Sequence, residues 1–210
     1  MAPAEILRLF LRRVCCLCGG TAGSGGLCEW CGLRLYPATG IRTAAGAEVR
    51  SAYLHVGSGG GLVRRIKFEG VRSAAGVAAA LMARRLDRWI RRADLLVPMP
   101  LSARRRRERG FNQAGLLAEG VSRRLDVPVE RGLSREHRPS QVGLDRRGRR
   151  ANVRGAYAPL RGFRPGGTVC LVDDVITTGS SLAEAVEVVR DCGAEGVMAA
   201  TLTYRSPASL

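Results

Sequence analysis

One stretch of the sequence, TVCLVDDVITTGSS at residues 168–181, places the strongest constraint on the fold. A continuous apolar run of this kind is typical of a strand buried on both faces of a parallel sheet. Two adjacent aspartates follow the strand predicted at residues 169–172, and small hydroxyl residues then lead into a helical pattern. The stretch therefore predicts a strand–turn–helix unit whose polar groups lie at the carboxyl edge of a sheet.

Apolar runs alternate with helical patterns from about residue 51 onward. Such alternation indicates an α/β domain whose central parallel sheet is covered by helices on both faces. The other predicted strands are residues 51–56, 94–100 and 196–204, and the predicted helices are residues 60–68, 74–90, 111–125 and 181–192. We expect an N-terminal helix and a cysteine module at 1–40, a turn-rich linker at 37–50, and the larger domain at 41–210.

The turn after the predicted strand has the chemistry of a phosphate site. Its residues are small or carry hydroxyls: Thr177, Thr178, Gly179, Ser180 and Ser181. Ser181 and Glu184 form a predicted capping box at the start of the next helix. Backbone N–H groups, hydroxyl donors and the positive end of the helix dipole together favour a bound phosphate at this turn.

The two acids before the turn, Asp173 and Asp174, supply hydrogen-bond acceptors. Carboxylates so placed suit the paired hydroxyls of a sugar or a divalent cation. Two acids after a strand are also typical of a solvated turn, but the strand, acid pair, hydroxyl turn and helix together favour a sugar phosphate. This pattern resembles the phosphoribosyl diphosphate (PRPP) binding motif of type I phosphoribosyltransferases. It differs from a Walker loop, which ends in Gly-Lys-Ser/Thr.

A second polar cluster follows the strand predicted at residues 94–100. Ser102 and the arginines at 104–107 and 109 come directly after it. Arginines at a strand end suit a diphosphate, the group that PRPP carries on C1′; the alternative is a solvated basic helix face. Beside the PRPP motif, we expect Ser102 and Arg104 to hold the diphosphate with Mg²⁺, and the later arginines to contact nucleic acid.

The chain is strongly basic, with 34 Lys and Arg against 18 Asp and Glu and a formal net charge of +16. Lys67 is the only lysine, so the excess is almost entirely arginine. A field of this sign attracts phosphorylated small molecules, nucleic acid or acidic membrane surfaces. No segment reaches the roughly 18 apolar residues needed to span a bilayer, and the first residues resemble a short amphipathic helix rather than a secretory signal. We expect a soluble, cytoplasmic protein.

Seven cysteines, an odd number, favour metal ligands or free thiols over a disulfide framework. Four of them form two Cys-x-x-Cys pairs: Cys15, Cys18, Cys28 and Cys31. Four thiolates complete a closed tetrahedral zinc site, with an iron–sulfur cluster or loose thiols as alternatives. Cys16 competes with Cys15 as a ligand, although the C-x-x-C spacing favours Cys15. Cys170 and Cys192 are expected in the core.

From about residue 15 to about residue 204 the chain resembles the ComF family of competence proteins. The resemblance rests on the Cys-x-x-Cys pairs and on the motifs IKF at 66–68, VPMPLS at 97–102, RGFNQ at 109–113, Ser140-Gln141, Asn152 and the block at 172–181. It implies a zinc-binding module on a phosphoribosyltransferase-like domain that binds PRPP. It also implies a role in the uptake or handling of single-stranded DNA during natural transformation, with competence-machinery proteins as partners.

Two functions of different class remain open at this point. A binding protein would keep the PRPP fold and use its arginines for single-stranded DNA, although only 5% of its residues are aromatic and stacking platforms usually help to hold single strands. An enzyme would transfer ribose phosphate from PRPP to a base, with Asp173 and Asp174 stabilising positive charge on the ribose ring. Within the long charged segment 131–157, the loop 134–151 is expected to close over the site with Arg135, Gln141 and Arg146.

Overall fold

A five-stranded sheet lies at the centre of the computed structural model, which describes residues 13–136 and 155–206. In chain order the strands are β1 (Arg42–Ala44), β2 (Ala47–Leu54), β3 (Leu95–Pro98), β4 (Leu133–Arg135), β5 (Tyr157–Pro159), β6 (Thr168–Ile176) and β7 (Gly196–Tyr204). The helices are α1 (Glu29–Leu33), α2 (Gly57–Phe68), α3 (Arg72–Ile90), α4 (Ala103–Arg109), α5 (Gln113–Leu125) and α6 (Ser180–Asp191).

The strand order in the central sheet is β1-β2-β7-β6-β3. The pairings of β2 with β7, β7 with β6, and β6 with β3 are parallel, and β1 is the antiparallel edge strand. Strand β6 therefore has partners on both edges, which explains why its sequence is a continuous apolar run. The predicted α/β fold with a central, mostly parallel sheet is confirmed.

Helices cover both faces of the sheet. Alternate residues of β6 face opposite sides, so Cys170 and Val172 belong to one buried cluster, while Val169 and Leu171 belong to the other. The first cluster includes residues of α2, α3 and α5, and the second includes residues of α6. Cys170 and Cys192 are both buried, as expected for core thiols.

Two predicted boundaries are wrong. Residues 37–50 are not simply a linker, because they contain β1 and the start of β2, joined by a tight turn with positive φ at Ala45 and Gly46. Strand β6 does not end at residue 172 but continues to Ile176, so the two aspartates lie within it. The cause of the second error is β7, whose nine residues offer partners as far as Tyr204, which pairs with Ile176.

The charged segment 131–157 begins and ends in a small antiparallel ribbon, in which β4 pairs with β5. Its residues 137–154, with the predicted loop residues Gln141 and Arg146, lie outside the described residues, as does the predicted N-terminal helix. The boundary at residue 40 stays a prediction. Within the described residues, no helix has the length and apolar character needed to cross a membrane.

Candidate functional site

The acid pair lies near the carboxyl end of β6, where the sheet's central parallel strands end. Asp174 is buried, and its Oδ2 lies 2.5 Å from Nζ of Lys67 on α2. Asp173 accepts a hydrogen bond through Oδ1 from the backbone N–H of Asp174, at 2.8 Å. Burial and the neighbouring Asp174 raise the pKa of Asp173 to about 8, against the opposing effect of Lys67. The pair therefore carries less than two full negative charges at neutral pH.

Sequence reasoning did not assign Lys67 to this site. The signal was available, since it is the only lysine in a chain that otherwise uses arginine and it lies within the IKF motif. A compact ammonium group on a flexible stem reaches a buried carboxylate that a planar guanidinium would fit poorly. The side chain of Lys67 is only 20% exposed, which makes its ion pair with Asp174 a partly buried one.

Buried hydroxyl groups fix the strand ends beneath the acids. The Thr203 hydroxyl donates to the backbone oxygen of Asp174 at 3.2 Å, and Nδ1 of His55 lies 2.9 Å from the same hydroxyl. Ser51 and Thr201 share a hydrogen bond of 2.7 Å between β2 and β7. Burial, together with Arg205 and Lys67, lowers the pKa of His55. This histidine therefore has a structural role, since its ring contacts the hydroxyl that holds the backbone of Asp174.

The hydroxyl turn lies directly after β6, at the start of α6. Gly179 caps the helix with φ of +77°, a conformation that favours glycine, and the hydroxyls of Thr178 and Ser180 are 3.1 Å apart. The first N–H groups of an α-helix have no partner within the helix. Helix α6 has twelve residues, and hydroxyls and N–H groups meet at its N-terminal end, as an anion site requires.

The predicted capping box at Ser181 and Glu184 is wrong. The helix begins two residues earlier than the box requires, with Gly179 as its cap, and no side chain caps it. Oε1 of Glu184 instead accepts the backbone N–H of Ala156 at 2.6 Å and that of Tyr157 at 3.3 Å. Glu184 therefore joins α6 to strand β5 and does not occupy the helix end.

Tyr157 is a second residue near the turn that sequence reasoning missed. It is buried, and burial raises its pKa against the opposing effects of Arg135 and of a hydrogen bond with Ser181. The guanidinium of Arg135 lies over the Tyr157 ring at 5.2 Å. The β4–β5 ribbon thus packs beside the hydroxyl turn and brings Arg135 there, while the closure of the loop over the site stays a prediction.

The end of β3 leads the second polar cluster to the same edge of the sheet. The N–H of Met99 donates to the backbone oxygen of Val172 at 2.9 Å, immediately before the acids. Ser102 is buried and caps α4 by accepting the N–H of Arg105. Arg104 is exposed and forms an ion pair with Glu108 at 2.8 Å, so its predicted contact with a diphosphate stays a prediction.

Arg109, at the other end of α4, is more closely associated with the acids. Its guanidinium donates to Oε1 of Gln113 at 3.1 Å. Burial and the nearby Arg105 lower its pKa, while Asp174 and Glu108 oppose that shift. Arg109 belongs to the arginine run in the sequence, but nothing in its motif predicts that it lies nearer to the acid pair than Arg104 does.

The Cys-x-x-Cys pairs come together in one cluster. The Sγ atoms of Cys15, Cys18, Cys28 and Cys31 all lie within 4.8 Å of one another. A tetrahedral site with Zn–S bonds of about 2.3 Å requires sulfur atoms about 3.8 Å apart, and the Cys18 and Cys28 sulfurs are 3.6 Å apart. Four thiol ligands at these separations fit a metal ion.

Local hydrogen bonds prepare the cluster for a cation. The N–H of Cys31 donates to Sγ of Cys28 at 3.4 Å. Burial raises the pKa of Cys15, but backbone N–H groups of Cys18, Cys28 and Leu17 outweigh it and lower that pKa to about 6. Cys16 is not in the cluster: it packs against the main core, and its backbone oxygen accepts Nε of Arg65 at 3.0 Å. The cluster thus contains Cys15 and not Cys16, and the choice of ligand stays a prediction.

Replacing Lys67 with Met is expected to lower the free energy of unfolding by about 3 kcal/mol, because the buried Asp174 carboxylate loses its counter-charge. Urea denaturation measures the change. The matched control is the double variant K67M/D174N, which removes both charges and should recover most of the lost stability. A K67M protein as stable as the wild type would contradict the importance of this ion pair.

Comparisons with known proteins agree with the geometry. The family model described as "Phosphoribosyl transferase domain" matches residues 112–208, the part that contains β6 and the hydroxyl turn. Competence protein F of Haemophilus influenzae is 39% identical over 108 residues, which are 50% of this chain and 47% of that protein. DNA utilization protein YhgH of Salmonella typhimurium is 32% identical over 147 residues, which are 65% of this chain and 63% of that protein.

A third relative is Competence protein ComFC of Bacillus subtilis, 32% identical over 112 residues, or 53% of this chain and 45% of that protein. In each of these relatives the matching region spans less than two thirds of the protein's own length. The relatives share competence or DNA-utilization names, and the matched family model contributes the phosphoribosyltransferase domain. Together with the parallel sheet and the cysteine cluster, they support the similarity of this chain to phosphoribosyltransferase-like proteins of the ComF family.

Proposed function

We propose that the chain binds PRPP at the carboxyl end of β6 and handles single-stranded DNA in natural transformation. The observation that carries the first part is the meeting of an acid pair and a hydroxyl-rich helix start at one edge of the sheet. The competence and DNA-utilization names of its relatives support the second part. We further propose that the protein is cytoplasmic, since free thiols such as that of buried Cys170 suit a reducing compartment. We also propose that its partners are proteins of the competence machinery.

Each part of PRPP has a group of suitable chemistry. The 5′-phosphate would accept hydrogen bonds at the turn made by residues 177–181, where N–H groups and hydroxyls meet. The ribose hydroxyls would donate to Asp173 and Asp174. Ser102 and Arg104 would face the diphosphate, and Mg²⁺ bound with PRPP would supply positive charge there.

The carboxylates of Asp173 and Asp174 are oxygen donors of the kind that Mg²⁺ prefers. One oxygen of Asp174 is already held by Lys67, so this residue contributes orientation and charge more than an open coordination position. Asp173 is the acid of the pair whose carboxyl group is held by a backbone N–H rather than by a cation. We therefore assign the main contact with ribose and Mg²⁺ to Asp173.

The alternative function is pentosyl transfer from PRPP to a base. That reaction breaks the C1′–diphosphate bond and forms a bond from C1′ to a nitrogen of the base. Positive charge develops on the ribose ring, and the acid pair would stabilise it. The neighbouring Tyr157 and Arg135 favour this alternative, because a ribbon packed beside the site is suited to excluding water. Release of diphosphate across a panel of bases, run beside a DNA-binding titration, separates the two functions.

The arginine helix α4 is the proposed phosphate track for DNA. None of its residues is buried, and its arginines at 104–107 are exposed. One diphosphate cannot use four guanidinium groups, so the later arginines remain for other phosphates. The net charge of +16 strengthens the attraction for a polyanion at low salt.

The metal bound by the four cysteines is proposed to be one structural zinc ion per chain. Protein purified without added metal should contain one equivalent of zinc by elemental analysis. Cys28→Ser should release it and unfold the module, because binding energy at a structural site is folding energy. The matched control is Cys16→Ser, which should retain the metal because Cys16 lies outside the cluster. Iron, or no metal, in the wild type would contradict the assignment.

PRPP binding should require Mg²⁺ and should be lost in Asp173→Ala and Asp174→Ala, since each removes an acceptor for the ribose hydroxyls. Thr178→Ala should weaken it by about 1 kcal/mol, the contribution of a typical hydrogen bond. Calorimetry measures all three. Asp94→Ala is the control, because Asp94 accepts the N–H of Thr168 at the opposite end of the same strand. Unchanged affinity in the three site variants would remove PRPP from this site.

Replacing Arg105 and Arg106 with Gln should weaken oligonucleotide binding whatever the base sequence. Each phosphate contact on a single strand contributes about −0.7 to the slope of log K against log[salt], so two lost contacts should flatten the slope by about 1.4. Replacing the exposed Arg84 and Arg85 on α3 makes the same change in net charge and should leave the slope nearly unchanged. An unchanged slope in the α4 variant, with weaker PRPP binding, would assign the run to the diphosphate instead.

A further inference from the structure

Three exposed aromatic side chains collect around helix α2. Among the described residues, Trp30, Tyr36 and Phe68 are 66%, 47% and 74% exposed. Trp30 lies on α1, Phe68 is the last residue of α2, and the Tyr36 ring lies against Gly57, where α2 begins. A single exposed ring needs no explanation, but a group of exposed rings on one face of a protein marks a binding surface.

A groove along α2 connects Trp30 and Phe68, and the Tyr36 ring lies beside the groove at Gly57. It consists of two adjoining hollows of about 430 and 400 Å³, with Trp30 in the lining of the first and Phe68 in that of the second. Gly57, Gly61 and Arg64 line both. The helix starts with the sequence GSGGG, and its glycines let α2 lie close to its neighbours: a Cβ at Gly60 would lie 3.2 Å from the backbone oxygen of His55, and one at Gly61 would lie 3.3 Å from the side chain of Leu17.

Guanidinium groups accompany the rings. Arg34 lies over Trp30 at 5.8 Å, and Arg109 lies over Phe68 at 5.6 Å. Arg64 and Arg65 add positive charge to the lining, where the carboxylate of Glu69 forms ion pairs with both. The groove is therefore basic as well as aromatic, the combination that holds the phosphates and bases of a single strand.

We propose that this groove is a stacking track for a single-stranded nucleic acid, with bases on Trp30, Tyr36 and Phe68 and phosphates along Arg34 and Arg64. The inference rests on the proposed DNA-handling function and assigns it a second surface, which adjoins the arginine helix α4. The net charge of +16 favours a polyanion over a protein as the occupant, because the guanidinium groups attract phosphates.

The dimensions and the position of the groove fit such a strand. Helix α2 has twelve residues and is therefore about 18 Å long, which accommodates about five nucleotides at a stacked spacing of about 3.4 Å. That length lies within the usual range of about 4 to 16 nucleotides for single-strand sites. Because Arg109 both ends α4 and covers Phe68, the track continues directly into the arginine helix.

The test compares two strands of equal charge, an oligothymidylate of about ten nucleotides and an abasic strand of the same length. Trp30→Ala and Phe68→Ala should each weaken oligothymidylate binding at least about fivefold and leave abasic-strand binding unchanged. The salt slope should stay the same, because no phosphate contact is removed. Leu33→Ala is the control, an exposed apolar residue of α1 that lacks a ring.

Tryptophan fluorescence gives a direct readout, because the two tryptophans differ in exposure. Trp89 is 5% exposed, whereas Trp30 is 66% exposed. In a Trp89→Phe variant, the remaining emission comes from Trp30, and oligothymidylate should quench it while the abasic strand should not. The conservative variants Trp30→Phe and Phe68→Tyr keep a ring and should retain most of the affinity, which separates lost stacking from lost folding.

If both alanine variants bind oligothymidylate as tightly as the wild type, the proposed track is wrong, whereas the DNA function of α4 is unaffected. Unchanged affinity is also the result expected if a protein occupies the groove. Equal losses for both strands would also overturn it, because the rings would then not be reading bases. Failure of the wild type to bind either strand would overturn the DNA function itself, and the track with it.

Discussion

Strand β6 pairs with β3 on one edge and with β7 on the other, and the positions of the candidate site residues follow from these two ladders. The β3 ladder carries the chain from Pro98 to Ser102 beside the acid pair. The β7 ladder extends β6 past the acids, so that Asp174 is held inside the sheet rather than in a loop. A carboxylate in that position requires a counter-charge from outside the sheet, and Lys67 of α2 provides it.

Helix α2 therefore has several tasks at once. Its lysine reaches the acid pair, while Arg65, two residues earlier, donates to the backbone oxygens of Cys16 and Leu17 in the cysteine module. The glycine-rich start of α2 allows the cysteine module to lie close to the helix, since a Cβ at Gly57 would lie 2.6 Å from the backbone oxygen of Arg34. The metal module and the acid pair are thus attached to the same rigid element, on which the proposed stacking groove also lies.

The core strands, the long helices and the cysteine cluster could be predicted from the sequence, because each leaves a local signature. The apolar run of β6 indicates burial, and the Cys-x-x-Cys spacing brings two thiols to one ion. Features that depend on distant partners were missed or misplaced. The partner of Glu184 is the backbone of β5 rather than its own helix, and the partner of Asp174 is a lysine more than one hundred residues earlier.

The aromatic residues show the same limit in another form. A content of 5% argued against a stacking surface, because composition counts rings without locating them. The fold buries rings such as Tyr53, Trp89 and Phe163 in the cores and leaves Trp30 and Phe68 on one groove. A small number of rings is sufficient when they are gathered on one face beside guanidinium groups.

The use of arginine almost everywhere else gives Lys67 an unusual chemical status. Guanidinium groups resist acylation and imine formation under conditions in which a primary amine reacts. In this sequence the only side-chain amine is the one paired with Asp174. Its nucleophilicity depends on how tightly that carboxylate holds it. Covalent amine chemistry on the side chains of this protein is thereby confined to Lys67, whose reactivity depends on its ion pair with Asp174.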